Sequence, residues 1–144
     1  MTRWPNLTER VVVKLVDARD GVTCQRCGRS CPDVFSRQHR IARGAGGSKR
    51  PEVTGPANRV RLCGTATSPG GCHLEVEKRL RRDSDERDGF WISQHTGVDP
   101  QTVPIRLYRD RWVFLLDDGG TRDLTDDELR AHLARFALPT PEDS

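Results

Sequence analysis

Long apolar runs are missing from this chain of 144 residues. The longest, at 11–13 and 112–116, fall far short of the roughly 20 residues a helix needs to cross a bilayer, so no membrane span is expected. Aromatic residues make up 6% of the composition and hydrophobic residues 34%, against 31% charged. A core drawn from so little apolar material is small for its length, and a second source of stability is expected beside burial. Lysine is also scarce, with 3 Lys against 21 Arg. That preference suits a GC-rich genome, and it equally supplies planar forks for phosphate. The opening stretch MTRWPNLTERVVVKLV has no apolar segment before a small-residue cleavage site, which argues against a secretory signal and for a cytoplasmic location. In that compartment the 5 cysteines are expected to be metal ligands or reduced thiols, not disulfides.

The net charge of +3 conceals an asymmetry. Residues 1–82 hold 17 Lys and Arg against 7 Asp and Glu, whereas residues 83–144 hold 7 against 14. The expected organisation is a basic domain over 1–82 with a nucleic-acid-facing surface, followed by an acidic extension over 83–144. Neither a membrane nor a small-molecule substrate is called for.

Local patterns sketch an α+β chain. Residues 8–16 fit a helix or a strand with Val11, Val12 and Leu15 as the apolar side, and Thr8 as N-cap tips the balance mildly to helix. Residues 22–28 read as a short strand entering a knuckle, with Gly28 permitting the tight turn. Residues 34–41 alternate as a strand that approaches His39, and 43–56 read as a basic, glycine- and proline-rich loop. Residues 58–63 restore a strand with Val60 and Leu62 on one face and Arg59 and Arg61 on the other. Residues 72–80 read as a helix, 90–93 as strand-like, and 103–108 with 111–116 as a hairpin turned at Arg109-Asp110. Thr125 and Glu128 form a capping box for a last helix bearing Leu129, Leu133 and Phe136, followed by a tail expected to be disordered.

Four cysteines fall into two pairs, Cys24-x-x-Cys27 and Cys63-x8-Cys72. Two knuckles can close a tetrahedral thiolate site for structural Zn2+, leaving no open position for catalysis. Cys31 competes for one ligand position, and unpaired reduced thiols are the alternative to a metal.

His39, Asn58 and His73 follow in order, and here the sequence resembles the HNH endonuclease family. The resemblance is carried by Cys24-x-x-Cys27, by Gln38-His39-Arg40-x-x-Arg43-Gly44-x-Gly46-Gly47, by Asn58-x-Val60-x-Leu62-Cys63 and by Cys72-His73-x-x-x-Glu77. It covers about residues 20–80, and the RGAGG and SPGGCH stretches make it most similar to small HNH proteins of actinobacterial phages. It implies a ββα-metal finger with four-cysteine zinc knuckles, here followed by a C-terminal β-hairpin and helix. It also implies hydrolysis of DNA phosphodiesters to 5′-phosphate and 3′-hydroxyl ends with one catalytic divalent ion. Genome packaging beside a phage terminase, or homing of a mobile element, is the implied setting.

In that reading His39, whose imidazole titrates near neutrality, is the general base. Asn58, matched to the family's central residue, braces the loop and orients the histidine. His73 and Glu77 lie four apart on one helix and hold Mg2+, Mn2+, Ni2+ or Zn2+. Gln38 stands where the family commonly has Asp or His, and its amide oxygen is a weaker ligand. Arg40, Arg43, Lys49, Arg50, Arg59 and Arg61 surround these positions and are the expected phosphate contacts. Plainer readings stand beside these: His39 as an exposed strand histidine, His73 as a zinc ligand in place of a cysteine, Glu77 as a solvated helix residue, and the arginines as a solvated face. A non-catalytic, zinc-dependent DNA-binding or adaptor protein is the competing function.

Overall fold

The computed structural model describes residues 7–42, 50–93 and 98–136. Helix α1 (Glu9–Asp20) starts where Thr8 Oγ1 accepts the Val11 N–H and stops at Gly21, whose φ of 60° breaks the helical path. It buries Val12, Val16 and Asp20. The burial of Asp20 has a partner-based cause: its carboxylate accepts the Arg61 N–H at 2.9 Å and the Arg19 Nε at 2.7 Å.

Strand β1 (Phe35–His39) pairs antiparallel with β2 (Arg59–Cys63), with Phe35 opposite Cys63 and His39 opposite Arg59. Between them run a short helix, α2 (Pro51–Thr54), and a 3-10 turn, Pro56–Asn58, so the expected loop is partly regular. Helix α3 (Cys72–Glu77) follows β2, giving the order strand, strand, helix in one unit. Both α1 and α3 pack on β2, and all five β2 residues are buried. The alternation of Val60 and Leu62 against Arg59 and Arg61 therefore does not divide core from solvent. Glu9 takes Arg59 in two bonds of 2.6 Å, and Arg61 lies 3.3 Å over the Phe35 ring while donating to the Cys31 carbonyl.

Further differences from the sequence expectations are local. The strand expected over 22–28 is a turn with a single bridge from Thr23 to Ser30. The helix expected over 72–80 ends at Glu77, and a separate helix, α4 (Arg82–Arg87), follows. Residues 90–93 contribute one parallel bridge, Ile92 to Ile41. Strands β3 (Ile105–Leu107) and β4 (Arg111–Leu115) form the expected hairpin, with Arg109 and Asp110 at φ of 64° and 61°, the turn geometry whose twist suits two strands. A third strand, β5 (Thr121–Asp123), pairs with β4 and was not legible. Helix α5 (Asp126–Ala134) carries the capping box in both directions.

The core crosses the expected boundary at residue 82. Val60, Leu62 and Val76 from the basic half lie in one cluster with Phe90, Ile105, Val113 and Leu115 from the acidic half. Backbone bonds link the halves as well, Tyr108 N–H to the Gln25 carbonyl at 2.8 Å and Ile92 N–H to the Arg40 carbonyl at 2.9 Å. Among the described residues no helix is long and apolar enough to cross a membrane.

Candidate functional site

The two cysteine pairs meet. Cys24 and Cys27 sit on a tight turn in which the Gly28 N–H donates to the Cys24 carbonyl at 2.8 Å. Gly28 is at φ 80°, and a Cβ there would stand 3.0 Å from the Tyr108 ring, so glycine is required twice over. Cys63 ends β2 and Cys72 begins α3. The eight residues between them fold back on themselves: a Cβ on Gly64 would meet the Gly71 Cα at 3.2 Å. That close approach lets a long spacing do what two residues do in the first pair.

The four sulfurs lie within 4.8 Å of one another, with Cys27 and Cys63 at 3.8 Å. A tetrahedral Zn2+ with Zn–S bonds of about 2.3 Å sets sulfurs about 3.8 Å apart. The thiols thus fit a closed structural zinc site. Three are buried and Cys27 is exposed. The Cys72 thiol donating to Cys24, helped by backbone N–H groups of Cys27, Cys63 and Arg26, draws Cys24 down to about 4, and Cys72 is pushed up in return. A pocket that already favours thiolate at one sulfur is prepared for a cation. Arg26 adds positive charge next to Cys72, braced by Asp85 at 2.9 Å and Glu75 at 3.0 Å. Cys31 is a buried core residue outside the four-sulfur group, its thiol pushed up by burial, and it does not compete for a ligand position.

On the β1 and α3 side, a cleft of about 500 Å³ is lined by Ser36, Arg37, Gln38 and His39 from β1, His73 and Glu77 from α3, and Ala42 and Trp91. His73 and Glu77 face the cleft from one helical turn, with Nε2 and Oε2 2.6 Å apart. The His73 Nδ1 is buried with no hydrogen-bond partner among the described residues. Imidazole, carboxylate and the Gln38 amide are donors suited to a hard or borderline divalent ion. Among the described residues the four cysteines are the group in which three or more His, Cys, Asp or Glu ligand atoms lie close enough to share one ion.

Asn58 is fully buried behind the cleft. Its Oδ1 accepts the Ile41 N–H at 2.7 Å, and its Nδ2 donates to the carbonyls of Ile41 at 3.1 Å and Val53 at 2.8 Å. The Asn58 carbonyl also accepts the Arg40 N–H at 2.7 Å. These bonds clamp the two residues after His39, and so fix where β1 ends.

The expected phosphate contacts fare differently. Arg40 is fully buried, donating to the carbonyls of Gly89 at 2.8 Å, Ala57 at 2.9 Å, Pro100 at 3.1 Å and Val103 at 2.8 Å. Burial lowers it to about 9, and a guanidinium buried against four carbonyls is out of reach of a phosphate. Arg59 and Arg61 are buried in the contacts with Glu9, Phe35 and Cys31 given above. None of these three is a phosphate contact. Arg50 is exposed and lies 3.5 Å from Glu52. Arg43 and Lys49 fall outside the described residues. Four lining residues, Ser36, Arg37, Ala42 and Trp91, were not among the expected site residues. Ser36 and Arg37 had a signal in the β1 alternation, whereas Trp91 reaches the cleft from beyond the motif.

Comparison of the chain with family models, curated proteins and solved structures finds no match.

Proposed function

We propose that the protein is a metal-dependent DNA endonuclease of the HNH class, built on a ββα-metal finger, that hydrolyses phosphodiester bonds with His39 as general base. The observation that carries this reading is the cleft itself, which gathers Gln38, His39, His73 and Glu77 from β1 and α3. Residues 35 apart in sequence meet there in the order the motif requires.

His39, half-buried at the strand end, takes a proton from water onto an imidazole nitrogen as the water oxygen attacks phosphorus. Asn58 holds the segment beyond His39 still and takes no part in proton transfer. His73 and Glu77, with the Gln38 amide oxygen, would hold the divalent ion, which would replace their mutual hydrogen bond. When bound, that ion supplies positive charge for the developing phosphorane and for the departing 3′ oxygen. The four-cysteine site stays apart from this chemistry and fixes β2 against α3. A phage setting, in packaging beside a terminase or in homing, extends the same proposal to partners.

The test is nicking of supercoiled plasmid with Mg2+, Mn2+, Ni2+ or Zn2+ added in turn, beside samples lacking an added ion. Relaxed or linear product that requires the ion is the expected result. Zinc-loaded protein that retains DNA yet fails to cut it with any of these ions would sink the nuclease reading in favour of an adaptor, for which Gln38 in place of a stronger ligand is the supporting feature.

A further inference from the structure

The exit from α3 is built in a way the cleft chemistry does not use. The Arg79 N–H donates to the Val76 carbonyl at 3.1 Å and the Leu80 N–H to the Glu75 carbonyl at 3.0 Å, the paired bonds of a Schellman ending. Its left-handed position usually falls to glycine, but here it is Arg79 at φ 58°. The next residue ordinarily folds an apolar side chain back onto the helix. The position it would cover is Glu75, and Leu80 instead stands 66% exposed.

The strained arginine is held in place: its guanidinium lies 4.1 Å over the ring of Trp91, a cleft residue, and bonds Glu86. Around Leu80, Lys78 is exposed and the Arg81 and Arg82 side chains are 68% and 69% open. Their nearest carboxylates, Glu75 at 3.8 Å and Glu86 at 3.7 Å, are already engaged more closely by Arg26 and Arg79. Glu77 and Asp83 are the exposed acids at the two edges of this group.

We propose that the 78–82 segment is a DNA-docking element, in which Lys78, Arg81 and Arg82 grip backbone phosphates while Leu80 enters the minor groove as an apolar wedge. An exposed leucine ringed by cations is what a wedge requires, because prying a base step apart needs phosphate contacts on both sides to hold the bent duplex. The choice of duplex DNA rests on the nuclease reading. An anionic membrane surface meets the same residue types, but the segment leaves α3 directly after the cleft residue Glu77, and its Arg79 is stacked on the cleft residue Trp91. A duplex seated in the cleft therefore runs onto it.

Affinity for a labelled duplex, measured across a salt series without added divalent ion and in the His39→Ala background, tests this. The variants are Lys78→Ala/Arg81→Ala/Arg82→Ala, Leu80→Ser, and Arg130→Ala as an exposed-cation control. Every substituted side chain in them is exposed, so the fold is retained, and zinc content verifies it. The triple variant is expected to lower the slope of log affinity against log salt by about 3, close to 1 per cation. Leu80→Ser is expected to weaken binding at least about threefold with the slope unchanged, and to reduce duplex bending read by end-to-end energy transfer. Wild-type affinity, slope and bending in both variants would overturn the proposal. So would binding to phosphatidylglycerol vesicles that the variants lose while their DNA binding persists. Failure of the nuclease reading is separate: protein that never cuts, yet whose DNA binding drops in these variants, leaves the docking element standing.

Discussion

Arg40 follows His39 directly, and its guanidinium turns into the core to gather four carbonyls from residues 57, 89, 100 and 103. Replacing it with Ala strands those acceptors in a dry site. Arg40→Ala is expected to lower unfolding free energy by about 3 to 5 kcal/mol, read from the urea midpoint. A change under about 1 kcal/mol would mean that water or neighbouring donors replace the arginine. The same residue shows why the sequence misplaces charge. An arginine beside a motif histidine reads as a phosphate contact, and only the three-dimensional position of distant carbonyls reveals its other use. The cysteines behave oppositely, because their chemistry is local to the sulfurs. Cys72→Ser is expected to abolish stoichiometric zinc and Cys31→Ser to retain it, by metal analysis of the purified proteins. Zinc retained in Cys72→Ser would place the metal elsewhere.

At the scale of elements, strands and capped helices were legible where period and cap agreed. The 125–128 capping box fixes the start of α5, and the 34–41 alternation reveals β1, although the strand stops at His39 where Asn58 takes up the next two residues. The short pieces, α2 and β5, were not legible, since three or four residues carry too little period to register. α5 is docked by His132, whose ring packs between Trp112 and Phe136 at 5.4 and 5.1 Å and whose Nε2 lies 2.6 Å from the Arg87 carbonyl. Burial holds its pKa below the usual histidine value. The unfolded chain then takes up a proton near pH 6.5 that the folded chain refuses. The His132 contribution is therefore full above that pH and is lost as pH falls towards the lowered folded value. Asp85 and Asp117, raised by burial, work in the opposite sense on acidification, so the comparison must be with a variant. The melting-temperature gap between wild type and His132→Gln is expected to narrow from pH 7.5 to pH 5.5. A gap that stays constant would remove His132 as the cause.

For the whole molecule, composition divided the chain at residue 82 and packing does not. Charge is a surface property, whereas the shared core depends on apolar residues that both halves contain. The Asp117 carboxylate accepting the Ala57 N–H at 3.0 Å, and Arg40 reaching residues 89, 100 and 103, tie the acidic half to the turn that carries Asn58. A protein truncated after residue 82 is expected to lose cooperative unfolding and most of its zinc, although the charge pattern alone suggests an independent finger. Full zinc and a sharp transition in the truncated chain would restore the two-part organisation.

The central claim is that His39 moves the proton in phosphodiester hydrolysis. The most direct measurement is the rate of plasmid cleavage by wild type and by His39→Ala, each verified as folded and zinc-loaded, with the same divalent ion. A loss of about 10² to 10⁴-fold in His39→Ala, with DNA affinity preserved, is the predicted result. Equal rates in the two proteins, or none in either, would contradict it.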